Sequence, residues 1–97
     1  MNIRILDEAK QDLLKGYRFY ESLESGIGSY FLDSLFSDID SLVIYAGIHP
    51  KNQRNYHYML AKKFPYAIYY KIQSSTILIY AVLDCRSNPS EKTKKLK

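Results

Sequence analysis

Hydrophobic residues recur every three or four positions over much of the first half of the chain, the spacing typical of amphipathic helices. Residues 8–23 carry one such pattern, with Asp7 in the position of an N-cap, and a wider apolar stripe runs over residues 31–46. Residues 24–29, which include two glycines, form a break between the two patterns, and the second helix is predicted to end near Gly47. The short connection predicts an antiparallel helix hairpin.

Before and after this hairpin the pattern changes to the alternation typical of β-strands. Ile3 and Ile5 fall on one side and Arg4 on the other, which predicts a short strand over residues 2–6. Three further strands are predicted over residues 54–60, 66–72 and 76–83. The order β-α-α-β-β-β predicts an α+β fold, a two-layer sandwich in which the helix hairpin packs on a three-stranded antiparallel sheet that the N-terminal strand precedes.

The longest apolar stretch, residues 77–83, is hydrophobic on both faces of its predicted strand. One helix hairpin covers only one face of a sheet, so the other face is predicted to be a partner-docking surface. The alternative is that the C-terminal tail or residues 49–56 cover this second face of the sheet. If Ile77, Ile79 and Ala81 face the helices, strand alternation places a second set of side chains on the docking face. This set contains Leu78, Tyr80 and Val82, with Tyr69 and Lys71 of the adjacent strand nearby.

Charge is divided unequally between the two halves of the chain, whose net charge is +4. Residues 1–48 contain four basic and eight acidic side chains, a net charge of −4, whereas residues 49–97 contain ten basic and two acidic ones, a net charge of +8. A basic half attracts an acidic protein partner or the phosphates of a nucleic acid. The length of 97 residues predicts one domain, and the lysine-rich residues 90–97 are predicted to be a short helix or a frayed tail.

Several classes of protein are excluded by composition. The seven-residue apolar stretch is far shorter than the ~20 residues of a membrane-spanning helix, and the N-terminus is too polar for a secretion signal. A lone Cys85 cannot form an internal disulfide or anchor a cysteine-based zinc site. We therefore expect a cytoplasmic protein that has no membrane contact, no metal and no cofactor.

Four segments in order along the chain carry a family resemblance. Leu6-Asp7-Glu8-Ala9 is followed by Gly26-x-Gly28-x-x-Phe31, then by residues 64–72, FPYAIYYKI, and by residues 81–89, AVLDCRSNP. With these segments the chain resembles, over about residues 3–89, the RelE/ParE family of type II toxin–antitoxin toxins, also called plasmid-stabilisation proteins. The resemblance implies the same α+β fold and an intracellular toxin that inhibits growth. It also implies a small cognate antitoxin that wraps across the sheet and the helices.

The family has two branches with different targets. The RelE-like branch cleaves messenger RNA in the ribosome, and the ParE-like branch poisons DNA gyrase. RelE-like ribonucleases typically have an arginine on the middle strand and a tyrosine shortly beyond the last-strand arginine, where this chain has Ala67 and Lys92. These departures favour the ParE-like branch, with gyrase as target. The alternatives are a ribosome-dependent, metal-free endoribonuclease, and a family member that has lost toxicity but still binds its antitoxin.

Candidate functional residues follow from this resemblance. Arg86 matches the arginine that follows the last strand and could bind phosphate; its alternative role is an ion pair with Asp84 or Asp12. In an enzyme, proton transfer and phosphate binding would fall to His57 as base or acid, Lys62 or Lys63 as cation, and Tyr69 as proton donor. For His57 a hydrogen-bonded or surface role is the alternative. The residues predicted to bind the antitoxin or the target are Tyr69, Lys71, Leu78, Tyr80, Arg86 and Lys92.

Overall fold

The computed structural model describes residues 1–86 and residue 96. Its elements are β1 (Asn2–Ile5), α1 (Asp7–Leu23), α2 (Ile27–Asp40), α3 (Leu42–Tyr45), β2 (His57–Leu60), β3 (Tyr66–Gln73) and β4 (Thr76–Asp84). The predicted α+β class and the order of a strand, a helix hairpin and three strands are confirmed. The Lys92 position and the predicted tail over residues 90–97 lie outside the described residues, except for Leu96.

The four strands form one sheet in the order β1-β4-β3-β2. The three C-terminal strands pair antiparallel, as predicted, and β1 adds a fourth strand parallel to β4, with Ile3 opposite Ile77. The parallel pairing follows from the helix hairpin that separates β1 from the other strands, since parallel neighbours need a long crossover connection. Ile3 and Ile5 pack against the helix-facing core, so the predicted sidedness of β1 is confirmed.

The two long helices approach closely where small residues allow it. A Cβ atom added at Gly16 of α1 would lie 2.5 Å from the Phe31 ring of α2, so only glycine allows this approach. The connection turns at Gly26, whose φ of 94° favours glycine. The Glu21 carboxylate accepts hydrogen bonds from the N–H groups of Gly26 and Gly28, at 3.1 and 2.9 Å. It thereby satisfies donors at the start of α2.

The main core lies between the helices and one face of the sheet. Its largest fully buried side chains come from both layers and include Phe31, Leu35, Ile39, Leu42, Ile68, Tyr70, Ile77, Ile79 and Val82. The opposite face of the sheet, here called the far face, carries a second buried cluster formed by Tyr56, Ala67, Tyr69, Ala81, Leu83 and Leu96. The far face of the sheet is therefore buried in part, and β4 contributes buried side chains to both faces, as its apolar sequence predicts.

A β-bulge in β4 changes which side chains face the helices. Ile79 and Ala81 pair with adjacent residues of β3, so Tyr80 is an extra residue in β4. Beyond the bulge the alternation reverses: Val82 packs in the helix-facing core and Ala81 lies on the far face. The prediction that Ala81 faces the helices and Val82 faces away was therefore wrong. Regular alternation cannot continue through an unpaired extra residue.

Two predicted helix boundaries differ from the observed ones. The second helix does not continue to residue 46 but ends at Asp40, and a separate turn, α3, follows. The Ser41 hydroxyl at this break donates to the Asp38 carbonyl at 2.6 Å, so a side chain takes part in the bonding of the helix end. Asp7 is the first helical residue rather than the N-cap, which is Leu6.

The strand predicted over residues 54–60 begins only at His57. The Asn52 side chain accepts hydrogen bonds from the N–H groups of Arg54 and Tyr56, both at 3.0 Å, and Asn55 has a φ of 67°. These contacts form a turn, and residues in a left-handed conformation do not extend a strand. The turn brings Lys51 beside His57 in an antiparallel bridge.

Candidate functional site

Part of the predicted docking face is covered by the chain itself. Leu96 is 3% exposed and packs with Tyr56, Tyr69 and Leu83 of the far-face cluster. Tyr69, predicted both as a proton donor and as a binding residue, lies on this face but is 6% exposed. The alternative considered for this face, coverage by the C-terminal tail, therefore holds at Leu96. A partner that contacts the Tyr69 side chain must therefore rearrange this buried cluster.

The remaining predicted residues of the far face lie side by side and stay partly accessible. Lys71 is directly opposite Leu78 in the sheet, and Arg4 is opposite Leu78 on the other side. The Lys71 ammonium lies 4.4 Å from the centre of the Tyr56 ring and 5.7 Å from that of Tyr80. At these distances the ammonium group makes cation–π interactions with both rings, and these interactions hold it in place. The structure thus brings together Lys71, Leu78 and Tyr80, as the sequence pattern predicts.

Arg86 forms an ion pair with Asp84, one of the two roles considered for it. Its Nε and one terminal nitrogen donate to the two carboxylate oxygens at 3.0 and 2.9 Å, and its backbone N–H donates to Oδ1 at 2.8 Å. The Arg86 guanidinium lowers the pKa of the Asp84 carboxyl through these hydrogen bonds, and the same contact raises the pKa of Arg86. The Arg86 side chain remains 60% exposed, so its outer face is accessible to a partner.

The four catalytic candidates do not converge on one site. His57 lies opposite Tyr70 on β3, whereas Arg86 follows Asp84, which lies opposite Tyr66. These positions are four residues apart along β3, or about 13 Å at ~3.3 Å per residue. The Lys63 ammonium lies 5.2 Å from the centre of the Tyr30 ring, and Tyr69 is on the opposite face of the sheet from His57. The geometry does not assemble an acid, a base and a phosphate-binding cation from this set.

His57 instead belongs to a hydrogen-bonded group around Tyr70. Its ring stacks on the fully buried Tyr70 ring at 5.0 Å, and its Nδ1 lies 2.9 Å from the His49 carbonyl oxygen. The Tyr70 hydroxyl accepts from the Gly47 N–H at 3.0 Å and lies 2.5 Å from His49 Nδ1. Burial, and secondarily the charge of His57, lowers the pKa of His49, while burial raises the pKa of Tyr70. A neutral imidazole at His49 can accept a hydrogen bond from the Tyr70 hydroxyl through Nδ1.

An open apolar groove of about 760 Å³ lies between the end of α2 and the sheet edge at β2. Tyr45, Ile48, Pro50, Tyr58, Met59 and Leu60 supply its apolar surface, and Asp38, Ser41, His49 and Lys62 its polar surface. We call it the edge groove. Ile48 and Leu60 are 73% and 64% exposed, and Ile44 of the adjoining α3 is 78% exposed. Such a concentration of exposed apolar side chains is typical of an interaction surface.

Sequence analysis did not identify the edge groove, although the chain contains a signal for it. Residues 42–45 are four consecutive apolar residues in a helical segment, and four consecutive positions point around most of the helix circumference. They cannot all face the core. Only Leu42 is buried, and Val43, Ile44 and Tyr45 are exposed. Leu60 has no comparable signal, because its exposure depends on β2 being an edge strand.

Two further properties bear on the class of site. Within residues 1–86 and 96, no three His, Cys, Asp or Glu side chains are grouped so that they could hold a metal ion. None of the helices in the same part of the chain combines the length and apolar character needed to span a membrane.

Comparisons with known proteins agree with the fold. A family model described as the ParE toxin of type II toxin–antitoxin systems, parDE, matches residues 3–89. Among solved structures, one of the similar chains comes from the chromosomal ParDE toxin–antitoxin system of P. aeruginosa, with a TM-score of 0.75 and 14% sequence identity. The match covers 84% of this chain and 92% of that one, and at this identity it demonstrates a common fold. A comparison with curated proteins gave no match.

Proposed function

Because the chain belongs to the ParE toxin family of type II toxin–antitoxin systems, we propose that it arrests growth by binding DNA gyrase in the cytoplasm. We propose further that a small cognate antitoxin neutralises it. The family membership makes the chain a type II toxin. The observation that carries the choice of a binding mechanism is the wide separation of His57 from Arg86.

This separation supports a binding toxin over an endoribonuclease for a chemical reason. Cleavage of RNA needs a base, an acid and a cation within reach of one phosphate. Here Arg86 is engaged by Asp84, His57 lies about 13 Å further along the sheet, and the middle-strand position typical of an arginine holds Ala67. A binding toxin needs no such set, and its exposed Arg86 can contact an acidic partner.

We propose that the antitoxin binds in the edge groove. A ParE-family toxin has a cognate antitoxin, and the groove offers that partner the exposed side chains of Ile48 and Leu60 beside Lys62. An antitoxin segment with apolar residues flanked by acidic ones fits this combination. The partly exposed far-face residues Lys71, Leu78 and Tyr80 remain proposed contacts for the antitoxin or the target. The same proposal extends to Arg86, Tyr69 and Lys92.

Parallel assays of the induced chain test the proposed target. We expect growth arrest and inhibited gyrase supercoiling, with ribosome-bound message intact, and we expect co-expression of the cognate antitoxin to restore growth. Cleaved message together with normal supercoiling would establish the ribosome-dependent endoribonuclease instead. Normal growth on induction of the chain alone, together with binding of the purified chain to its antitoxin, would establish the non-toxic family member.

A further inference from the structure

One buried hydroxyl group holds a wall of the edge groove in place. The Tyr70 hydroxyl accepts a hydrogen bond from the Gly47 N–H at 3.0 Å and lies 2.5 Å from Nδ1 of His49. Ile48, the residue between these two, is 73% exposed and supplies apolar surface to the groove. Gly47 has a φ of 95°, a left-handed conformation that favours glycine where the chain leaves α3. The two contacts with Tyr70 therefore fix the chain on both sides of Ile48.

Beyond His49 the chain is anchored by a contact that does not depend on the His49 ring. The Tyr58 N–H of β2 donates a hydrogen bond to the Pro50 carbonyl at 3.0 Å. A change at the His49 ring should therefore move residues 47–49 and leave the turn before β2 in place. The part of the chain that can respond is short, and it contains one of the most exposed apolar side chains of the groove.

The contact between Tyr70 and His49 requires a neutral imidazole. The Tyr70 hydroxyl has one proton to donate, and Nδ1 of His49 accepts it only while this nitrogen carries no proton of its own. Protonation of His49 makes Nδ1 a donor, so the hydroxyl proton of the fully buried Tyr70 loses the acceptor that it has here. An unsatisfied buried donor and a partly desolvated charge both destabilise the arrangement.

Titratable groups surround His49 from several elements. Tyr70 of β3 and His57 of β2 contact it directly, and burial followed by the charge of His57 lowers the pKa of His49. Lys51 follows two positions later in the same segment. The Asp38 carboxylate accepts a hydrogen bond from the Lys62 N–H at 3.0 Å. The groove that His49 lines contains four further titratable groups, Asp38, Tyr45, Tyr58 and Lys62.

We propose that the contact between Tyr70 and His49 is a pH-sensitive switch for the edge groove. While His49 is neutral, the contact holds Ile48 in the position in which the antitoxin binds it, and protonation of His49 releases residues 47–49 and weakens binding. This inference rests on the proposed binding of the antitoxin in the edge groove. Because coupling between two binding events is reciprocal, the antitoxin must in turn make His49 harder to protonate. The pKa of His49 should therefore be lower in the complex than in the free chain.

The switch is tested first in the free chain, without the antitoxin. ¹H–¹⁵N spectra recorded between about pH 5 and about pH 8 follow the His49 ring and the Gly47 amide. We expect both signals to change with one midpoint, below the ordinary value of 6.5. In Tyr70→Phe, which removes the hydroxyl but keeps the ring on which His57 stacks, the Gly47 amide should no longer follow His49. A Gly47 amide that is independent of the His49 ring in the unchanged chain would overturn the switch.

Calorimetric titration with the cognate antitoxin at about pH 7.5 and about pH 5.5 then tests the effect on the groove. We expect the affinity of the unchanged chain to fall about tenfold at the lower pH. His49→Asn retains an acceptor for the Tyr70 hydroxyl and does not titrate, so its affinity should fall less than about twofold. The matched control is His57→Asn, which removes the other imidazole and should retain the pH dependence. An equal fall in His49→Asn and the unchanged chain would overturn the proposal.

Failure of the switch can be distinguished from failure of the proposed function. A Gly47 amide that does not follow His49 overturns the switch alone, since it affects neither growth arrest nor the supercoiling assay. Unchanged antitoxin affinity of Leu60→Asp would instead overturn the edge groove as the binding site, and with it the role of the switch in antitoxin binding.

Discussion

The carboxylate of Asp12 on α1 accepts a hydrogen bond from the backbone N–H of Val82 on β4, with 3.0 Å between Oδ2 and the nitrogen. Asp12 is 6% exposed, and 70 positions separate the two residues. β1 pairs with β4 only as far as Ile79, so Val82 lies beyond the end of its parallel neighbour. The helix thus supplies the acceptor that the shorter strand cannot.

We therefore expect Asp12→Ala to lower the free energy of unfolding by about 1–3 kcal/mol, the cost of leaving a buried donor unsatisfied. Asp12→Asn retains a carbonyl oxygen that can accept this bond and should lose less. Urea denaturation of the purified variants measures both values. Equal stability of Asp12→Ala and the unchanged chain would show that water or another group replaces the carboxylate.

The contact between Gly16 and Phe31 leads to a second prediction. Alanine favours a helix by ~1 kcal/mol over glycine, yet its Cβ would lie 2.5 Å from the Phe31 ring. Overpacking typically costs ~1–3 kcal/mol, so Gly16→Ala should lower the free energy of unfolding in spite of its helix propensity.

Lys15→Ala, at the exposed adjacent position of α1, serves as the control and should change stability by less than about 0.5 kcal/mol. In the double variant Gly16→Ala with Phe31→Leu the two losses should be less than additive, because the smaller side chain makes room for the added methyl group. A more stable Gly16→Ala variant would contradict the close helix contact.

Stability should depend on pH through His49. Its pKa in the folded chain is lowered from 6.5, first by burial and then by His57, so the unfolded chain binds a proton more readily. The free energy of unfolding is therefore highest above the ordinary value and decreases as the pH falls from about 6.5 through the lowered folded pKa. The groups facing His49 are the Tyr70 hydroxyl and His57.

Urea denaturation at several pH values between about 5 and about 8 measures this profile. His49→Asn removes the titrating ring, and we expect its profile to be flatter than that of the unchanged chain. Asp84, whose pKa is lowered from 3.8, contributes only at more acidic pH. If the free energy of unfolding depends on pH in the same way in both chains, a group other than His49 causes the dependence.

The edge groove can be tested with a matched pair of exposed leucines. Leu60 in the groove and Leu23 at the end of α1 are 64% and 65% exposed, so an aspartate at either position should leave the fold intact. Leu60→Asp should weaken antitoxin affinity at least about tenfold, because complex formation would bury a charge. Leu23→Asp should change it less than about twofold. Calorimetric titration with the cognate antitoxin checks both predictions, and equal affinities of the two variants would show that the antitoxin binds outside the edge groove.

Arg86 should matter for toxicity and little for stability. Its side chain is largely exposed and pairs with Asp84, and a surface pair of this kind contributes little to stability. We expect Arg86→Ala to relieve growth arrest on induction while its thermal midpoint stays within a few degrees. Asp84→Asn, which keeps the arginine but weakens the pair, should remain toxic. Full growth arrest by Arg86→Ala would remove Arg86 from the target contact.

Local patterns in the chain were sufficient to predict most of the fold. The alternation of Ile3, Arg4 and Ile5 correctly assigns the two sides of β1, and the order of the helices and strands is as predicted. The proximity of Arg86 to Asp84 is likewise local, since only two positions separate them. The sequence could therefore suggest that ion pair, although it offered Asp12 as an equal alternative.

The tertiary structure decided which side chains are available to a partner. The bulge at Tyr80 reverses the orientations of Ala81 and Val82, Leu96 and Tyr69 are buried in one far-face cluster, and the position of β2 at the sheet edge exposes Leu60. The physical reason is the separation along the chain of the residues that interact. Helix and strand periodicities arise within a few residues, so the sequence by itself determines the elements and their apolar sides. Register, bulges and coverage arise between segments distant in the chain, so only their packing determines what remains exposed.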